Sequence, residues 1–177
     1  MKRVARGLLG LFILAAVLVL TGCIVSGQFV VVIDWGGLVS TDQSLNSEHV
    51  DLTTNPTWND HKDDIQDIVD VKFKVTIQNL ATTAATGEVY VSKDSHSTLA
   101  GLYAGGGTRI LHGIVIDPSA ERTIDFDESV TYREHLDELL GLVKDGKFYI
   151  YGIAENTPFN IEIKTGSQLL VTFSAGK

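Results

Sequence analysis

Asp60, His61, Asp63, Asp64 and Asp67 crowd oxygen and nitrogen donors into one short stretch at one- to four-residue spacings. Carboxylate oxygens gathered this way are what a calcium ion accepts, so Asp60, Asp63, Asp64 and Asp67 are the candidate metal ligands of the chain. The stretch lacks the ordered Asp-x-Asn-x-Asp-Gly loop that wraps the ion, and an acidic turn ahead of a strand otherwise serves as solvated surface. Residues 101–108 are glycine-rich in the manner of a phosphate loop, yet they carry no Gly-Lys-Ser/Thr ending and no helix follows to aim its N-terminus at a phosphate. They read as a flexible hairpin tip. Serine chemistry would need a serine, a histidine and an orienting carboxylate together. His49, His61, His96, His112 and His135 are scattered along the chain, and none adjoins a Gly-x-Ser-x-Gly pattern. Ser174 and Lys177 match a Ser-x-x-Lys spacing, but they are two common residues, the first of them on an expected strand. No catalytic residue is assigned, and the chain is read as non-enzymatic.

The beginning of the chain has a different character. Lys2, Arg3 and Arg6 precede an apolar run over residues 8–20 that only Gly10 interrupts. A charged head, a short apolar run and small residues at its end are the layout of a secretory signal peptide. A run of about 10 to 14 residues is also short for a bilayer span, which needs about 20. The run closes on Leu20, Thr21, Gly22 and Cys23, which together resemble the lipobox of bacterial lipoproteins. The resemblance implies cleavage between Gly22 and Cys23, a diacylglyceryl group on the Cys23 sulfur and an acyl chain such as palmitate on the new N-terminus. Residues 1–22 would be removed, and no cofactor is expected beyond this covalent lipid. The chemistry agrees with the residue types, because small side chains fit a protease groove and a thiol far outperforms a hydroxyl as nucleophile toward the lipid donor. An uncleaved membrane helix is the alternative reading, since residues 7–33 carry no charge, and it too leaves the rest of the chain outside. Two or three acyl chains on one residue make a stable anchor where a single chain does not. Ile24 is not an aspartate, so the inner-membrane retention signal of enteric lipoproteins is missing. In a source with two membranes, the expected place is the outer membrane, facing the periplasm.

The formal net charge of the chain is −8, and without residues 1–22 it holds 11 basic against 22 acidic residues. Such a surface repels nucleic acid, so no nucleic-acid partner is expected. The partners expected are the membrane, through the anchor, and an envelope protein. Cys23 is the sole cysteine, which excludes an internal disulfide and a zinc site built on thiolates.

The elements that must position any site read as strands. Residues 29–33 form a Val/Ile-rich run closed by Asp34, Trp35, Gly36 and Gly37, which predicts a strand buried on both faces. Residues 23–28 ahead of it read as the lipidated N-terminus and a short tether, and residues 29–177 as one folded domain. Residues 38–57 form a long polar connection with one short edge strand near residues 49–52. Val69, Val71, Phe73, Val75 and Ile77 alternate with polar residues, the pattern of a sheet with one wet face. Further strands are expected over residues 87–92, 108–116, 123–126, 148–154, 159–164 and 169–174. A mobile segment over 93–107 and a tight hairpin over 164–167 are also expected. One helix near residues 128–145 follows from Tyr132, Leu136, Leu139, Leu140 and Val143 on one stripe, with Asp127 as N-cap and Gly146 ending it.

About seven to nine short strands with one connecting helix predict a mainly β chain, a single antiparallel β-sandwich. It resembles the immunoglobulin-like sandwich in general architecture. Tyr149 and Tyr151 stand opposite Phe148 and Ile150 on the same strand, so apolar groups occupy both faces. Either a helix covers the second face, or Tyr149 and Tyr151 form a contact surface for a protein. Trp35 and Trp58 read as core anchors. The function expected is that of a lipid-anchored, exported binding or assembly component of the cell envelope. The alternative is a small envelope hydrolase or metal-dependent domain using Asp60, Asp63, Asp64 and Asp67.

Overall fold

The computed structural model describes residues 25–40, 45–154 and 159–175. Leu20, Thr21, Gly22, Cys23 and Lys177 lie outside the described residues, and the signal, cleavage and lipidation readings lie outside with them.

Among the described residues ten strands form in chain order: β1 (Val25–Ile33), β2 (Gly37–Ser40), β3 (Leu45–Asp51), β4 (Ile65–Asn79), β5 (Ala85–Ser92), β6 (Thr108–Ile116), β7 (Glu121–Ile124), β8 (Lys147–Ala154), β9 (Asn160–Ile163) and β10 (Ser167–Ala175). Four α-helices interrupt them among the described residues, α1 (Pro56–His61), α2 (Leu99–Ala104), α3 (Phe126–Tyr132) and α4 (Leu136–Asp145), with a 3-10 turn over Leu52–Thr54. Every pairing between strands is antiparallel. Two pairs are single bent strands: the register that sets Ile33 against Ser167 also sets Gly37 against Ile163, so β2 continues β1 and β10 continues β9. With each bent strand counted once, one sheet runs β1/β2, β10/β9, β4, β7 and the other runs β3, β8, β5, β6. This is the strand order of a double-Greek-key jelly roll, so the antiparallel sandwich read from the sequence is present. Its core is made of inward residues of both sheets, among them Val71, Phe73 and Val171 on one and Val91, Phe148 and Ile150 on the other.

The bends explain why no hairpin forms over residues 164–167. Lys164 donates its N–H to the Thr76 carbonyl at 2.9 Å, and Gln168 already stands opposite Lys74, so the chain runs straight on along β4. Gly166 at φ +89° lets the extra residues loop out without reversing direction. A second bulge corrects the face of Val69: Thr172 pairs with Asp70 and Phe173 with Ile68, so Val69 is the unpaired extra residue. Ile68 is buried in its place, and Val69 is 53% exposed.

Four other expectations change. Residues 29–33 are not buried on both faces, because only one face of β1 meets the core: Phe29, Val31 and Ile33 face inward, while Val30 and Val32 on the outer face are 41% and 59% exposed. The strand also begins at Val25, so residues 25–28, read as tether, belong to the sheet. The single helix becomes two, because residues 133 and 134 turn away to β6: Arg133 bridges Leu111, and the Glu134 N–H donates to the Ile110 carbonyl at 2.8 Å. His135 then restarts the helix from a left-handed conformation, φ 45°. Asp127 is not the cap but a first-turn residue of α3, whose N-cap is Asp125, and it pairs with Lys72 at 2.7 Å. Gly146 does end α4, at φ 80°, with its N–H on the Leu142 and Val143 carbonyls.

Residues 93–107 hold the short helix α2. Thr98 caps it by accepting the Gly101 N–H at 3.1 Å, and Leu102 is buried with Tyr151 and Ile153 on the outer face of β8. Gly107 packs so closely that an added Cβ would stand 2.4 Å from Leu102 Cδ1. The second apolar face of β8 is thus covered by α2, whereas α4 packs on β4, β6 and β8 with Leu139 and Val143 in the main core.

Candidate functional site

The two long sides of the sandwich differ. On the side of β4, β6 and β7, residues 122–144 satisfy the outer strand edges one bond at a time. The Phe73 N–H donates to Ser129 Oγ at 3.1 Å, and Ser129 in turn donates to the Phe126 carbonyl at 2.8 Å. Arg133 donates to the Val71 carbonyl at 3.0 Å while pairing with Asp70. Lys144 reaches the Gln66 carbonyl at 3.2 Å, and Arg122 spans from β7 to the Val115 carbonyl of β6 at 2.6 Å. This side is closed.

On the opposite side the edge strands are β1/β2 and β3, and among the described residues each pairs on one side only. Between them lies a cleft of about 280 Å³. Val31, Val32, Ile33 and Asp34 form one wall, and Glu48, His49, Val50 and Asp51 form the other. The turn from Leu52 to Pro56 closes one end. Above the cleft the buried Trp35 donates its indole N–H to Asn46 Oδ1 at 2.9 Å, tying β3 to the bend after β1.

The wall from β3 is not neutral. Strand alternation puts Glu48 on the same face as the buried Val50 and as Asn46, which faces Trp35, so its carboxylate is directed toward the gap. Asp51 is committed: it accepts from Thr53 Oγ1 at 2.5 Å and pairs with Lys147 at 2.9 Å. The Thr53 hydroxyl, with help from Lys147, holds its carboxyl down at about 2. Among the described residues neither Glu48 nor Asp34 has an ion-pair partner. The arrangement offers a strand edge, an apolar floor and unneutralised negative charge. That is equipment for binding.

The residues singled out from the sequence are placed as follows. Asp60 lies on α1, Asp63 and Asp64 on the exposed turn after it, and Asp67 on β4, bound to Lys144 at 3.0 Å. Lys144 is also what holds the Asp67 carboxyl below its ordinary value. The four do not converge on one point, and among the described residues no three of His, Cys, Asp and Glu form a group that could hold a metal ion. Tyr151 is fully buried, so it is not a contact surface: its hydroxyl donates to the Asp94 carbonyl at 3.0 Å and accepts the His96 N–H at 2.9 Å. Burial pushes its phenol up. Tyr149 is half-buried against His49, with ring centroids 4.8 Å apart. Trp35 and Trp58 are the core anchors expected.

Two constellations were invisible in the sequence. Ser92 Oγ stands 3.1 Å from His96 Nε2, but Ser92 is buried and its oxygen also accepts the Asp94 N–H at 3.2 Å, so the pair pins a turn. On the outer face of β5 and β6, Arg109 bonds Glu88 at 2.6 Å and Glu134 at 2.9 Å, with His112 near both carboxylates. Burial, reinforced by the Glu88 charge, raises Tyr90 to about 12. Because Glu134 adjoins the break between α3 and α4, this group latches the closed side. The Arg109 cluster follows no spacing rule, since its bonded partners lie 21 and 25 residues away, whereas Ser92 and His96 are four apart and meet only because the turn brings them together.

No protein-family model matches the chain. No curated protein matches it. Among solved structures, one from Desmodium yellow mottle tymovirus is 12% identical, aligning over 88% of this chain and 89% of that chain with a TM-score of 0.34. One from turnip yellow mosaic virus is 14% identical over 89% and 82%, with a TM-score of 0.39. One of infectious bursal disease virus, Gx strain, is 6% identical over 84% of this chain and 32% of that chain, with a TM-score of 0.40. Likeness at this level carries no argument about activity or partners.

Proposed function

We propose that the chain is an exported lipoprotein, anchored through Cys23, whose sandwich works as a non-enzymatic binding or assembly component of the cell envelope and receives its partner on the open side. The observation that carries this reading is the contrast between the sides: one is closed by named hydrogen bonds, while the other leaves a strand edge above a cleft of about 280 Å³. The lipobox resemblance supplies the anchor. A strand that begins at Val25 leaves almost no slack after Cys23, so the base of β1 would sit close to the lipid.

Crosslinking of the lipidated protein in intact cells, followed by mass spectrometry, tests both parts. The wild type should bring down one abundant envelope partner, and Val32→Lys, at an exposed position on the open side, should lose it. Cys23→Ser should lose lipid labelling. Capture that survives Val32→Lys would place the partner elsewhere, and wild-type labelling in Cys23→Ser would remove the anchor.

A further inference from the structure

The occupant of the open side can be named by its chemistry. We infer that an extended, lysine- or arginine-bearing segment of a partner protein adds to the outer edge of β1 as a further strand, with a basic side chain meeting Glu48 and Asp34. This deepens the binding reading above and rests on it.

Three observations converge. First, the edge is unguarded: the strand VSGQFVVVI contains no charge and no proline across nine residues. Edge strands ordinarily carry lysine, proline or an inward charge to prevent pairing, and an edge without them is a template for one more strand. Adding a strand satisfies main-chain donors and acceptors, while pockets beside the edge select the side chains. Second, the space beside the edge suits side chains, since the cleft is floored by Val31, Ile33, Val50 and Leu52. Third, the charge is one-signed. Glu48 looks into the gap from β3 and Asp34 stands at the end of β1, both without an ion-pair partner among the described residues. A carboxylate directed into a partly apolar cleft is stabilised by a cation brought to it.

The same charges argue against a second copy of this chain. Two copies, each holding 11 basic against 22 acidic residues once residues 1–22 are removed, would bring like carboxylates to the same interface. A basic segment gains from the field that a second copy would have to overcome.

The test uses the lipidated protein in detergent and a blocked seven-residue peptide of alternating valine and lysine. Calorimetry should show binding, and hydrogen exchange should slow in the stretch from Val30 to Asp34. A valine–glutamate peptide should not bind. Glu48→Gln, which preserves shape, should weaken the valine–lysine peptide about tenfold. N-methylation of alternate peptide amides should abolish binding in one of its two frames, because only one set of N–H groups faces β1. No binding, binding indifferent to Glu48→Gln and to both N-methyl frames, or protection elsewhere would overturn the inference. A dimer of the protein alone that Val32→Lys dissolves would also overturn it, in favour of a second copy. If these tests fail while Val32→Lys still abolishes capture in cells, the occupant is wrong and the open side stands. If capture is indifferent to Val32→Lys, the binding reading itself has failed.

Discussion

On one side of the sandwich the edge of β4 gives its Phe73 N–H to Ser129 and its Val71 carbonyl to Arg133. On the other, β1 presents a nine-residue uncharged edge with no such cover among the described residues. Both edges pose the same problem, a row of backbone groups that must pair or be solvated. The closed side answers it inside the chain, using a helix pair, and gains rigidity. The open side leaves the answer to solvent or to a partner. Stability should therefore be concentrated on the first side and recognition on the second.

That contrast can be broken by substitution. The largest effect belongs to Trp35→Ala, which empties a buried aromatic site and orphans Asn46, at a cost of about 3 to 5 kcal/mol in denaturant unfolding. If the strut above the cleft holds the open side in shape, this variant should also lose binding of the valine–lysine peptide while still folded in the cold. On the closed side, Arg133→Met should cost about 2 to 3 kcal/mol by stranding Asp70 and uncovering the Val71 carbonyl, and Ser129→Ala about 1 to 2 kcal/mol by orphaning the buried Phe73 N–H. Val32→Lys should change stability by less than about 0.5 kcal/mol, because the side chain is already in water. Should Val32→Lys prove as destabilising as Arg133→Met, the two sides would not differ in the way described.

The smallest effect is a pH dependence at the end of the cleft. The Asp51 carboxyl sits at about 2 against an ordinary 3.8, so its contribution is fully present above about pH 4 and is lost as pH falls through about 2. Asp51→Asn should lower the melting temperature across the neutral range, and the difference from the wild type should shrink as pH falls from about 4 to about 2.

How much of this could be read in the sequence varies element by element. From Val71 to Ile77 the alternation of β4 was legible, because a half-buried strand must repeat every two residues. The same pattern misplaced Val69, since a bulge shifts the repeat and is set by the partner strand β10. The helix stripe from Leu136 to Val143 was legible and so was its Gly146 stop, but the break at residues 133–135 is made by β6, which a local pattern does not contain. The hairpin over residues 164–167 had the right turn chemistry and the wrong topology. Turn residues permit a reversal without requiring one, and here β4 holds the chain on course. Of the candidate site, Asp34 and the valines of β1 stood in plain view as residue types, yet nothing local marked them as a wall of a cleft.

By itself the sequence determined what composition and periodicity can fix: an acidic surface, strands with apolar faces, an antiparallel sandwich and an N-terminal stretch resembling a lipobox. Only the tertiary structure decided which strands became edges, which edge was covered and that Glu48 faces a gap across from β1. The reason is physical. Burial of side chains follows from the spacing of residues along one strand, whereas an unpaired edge is a property of neighbours, and neighbours are chosen by the whole chain.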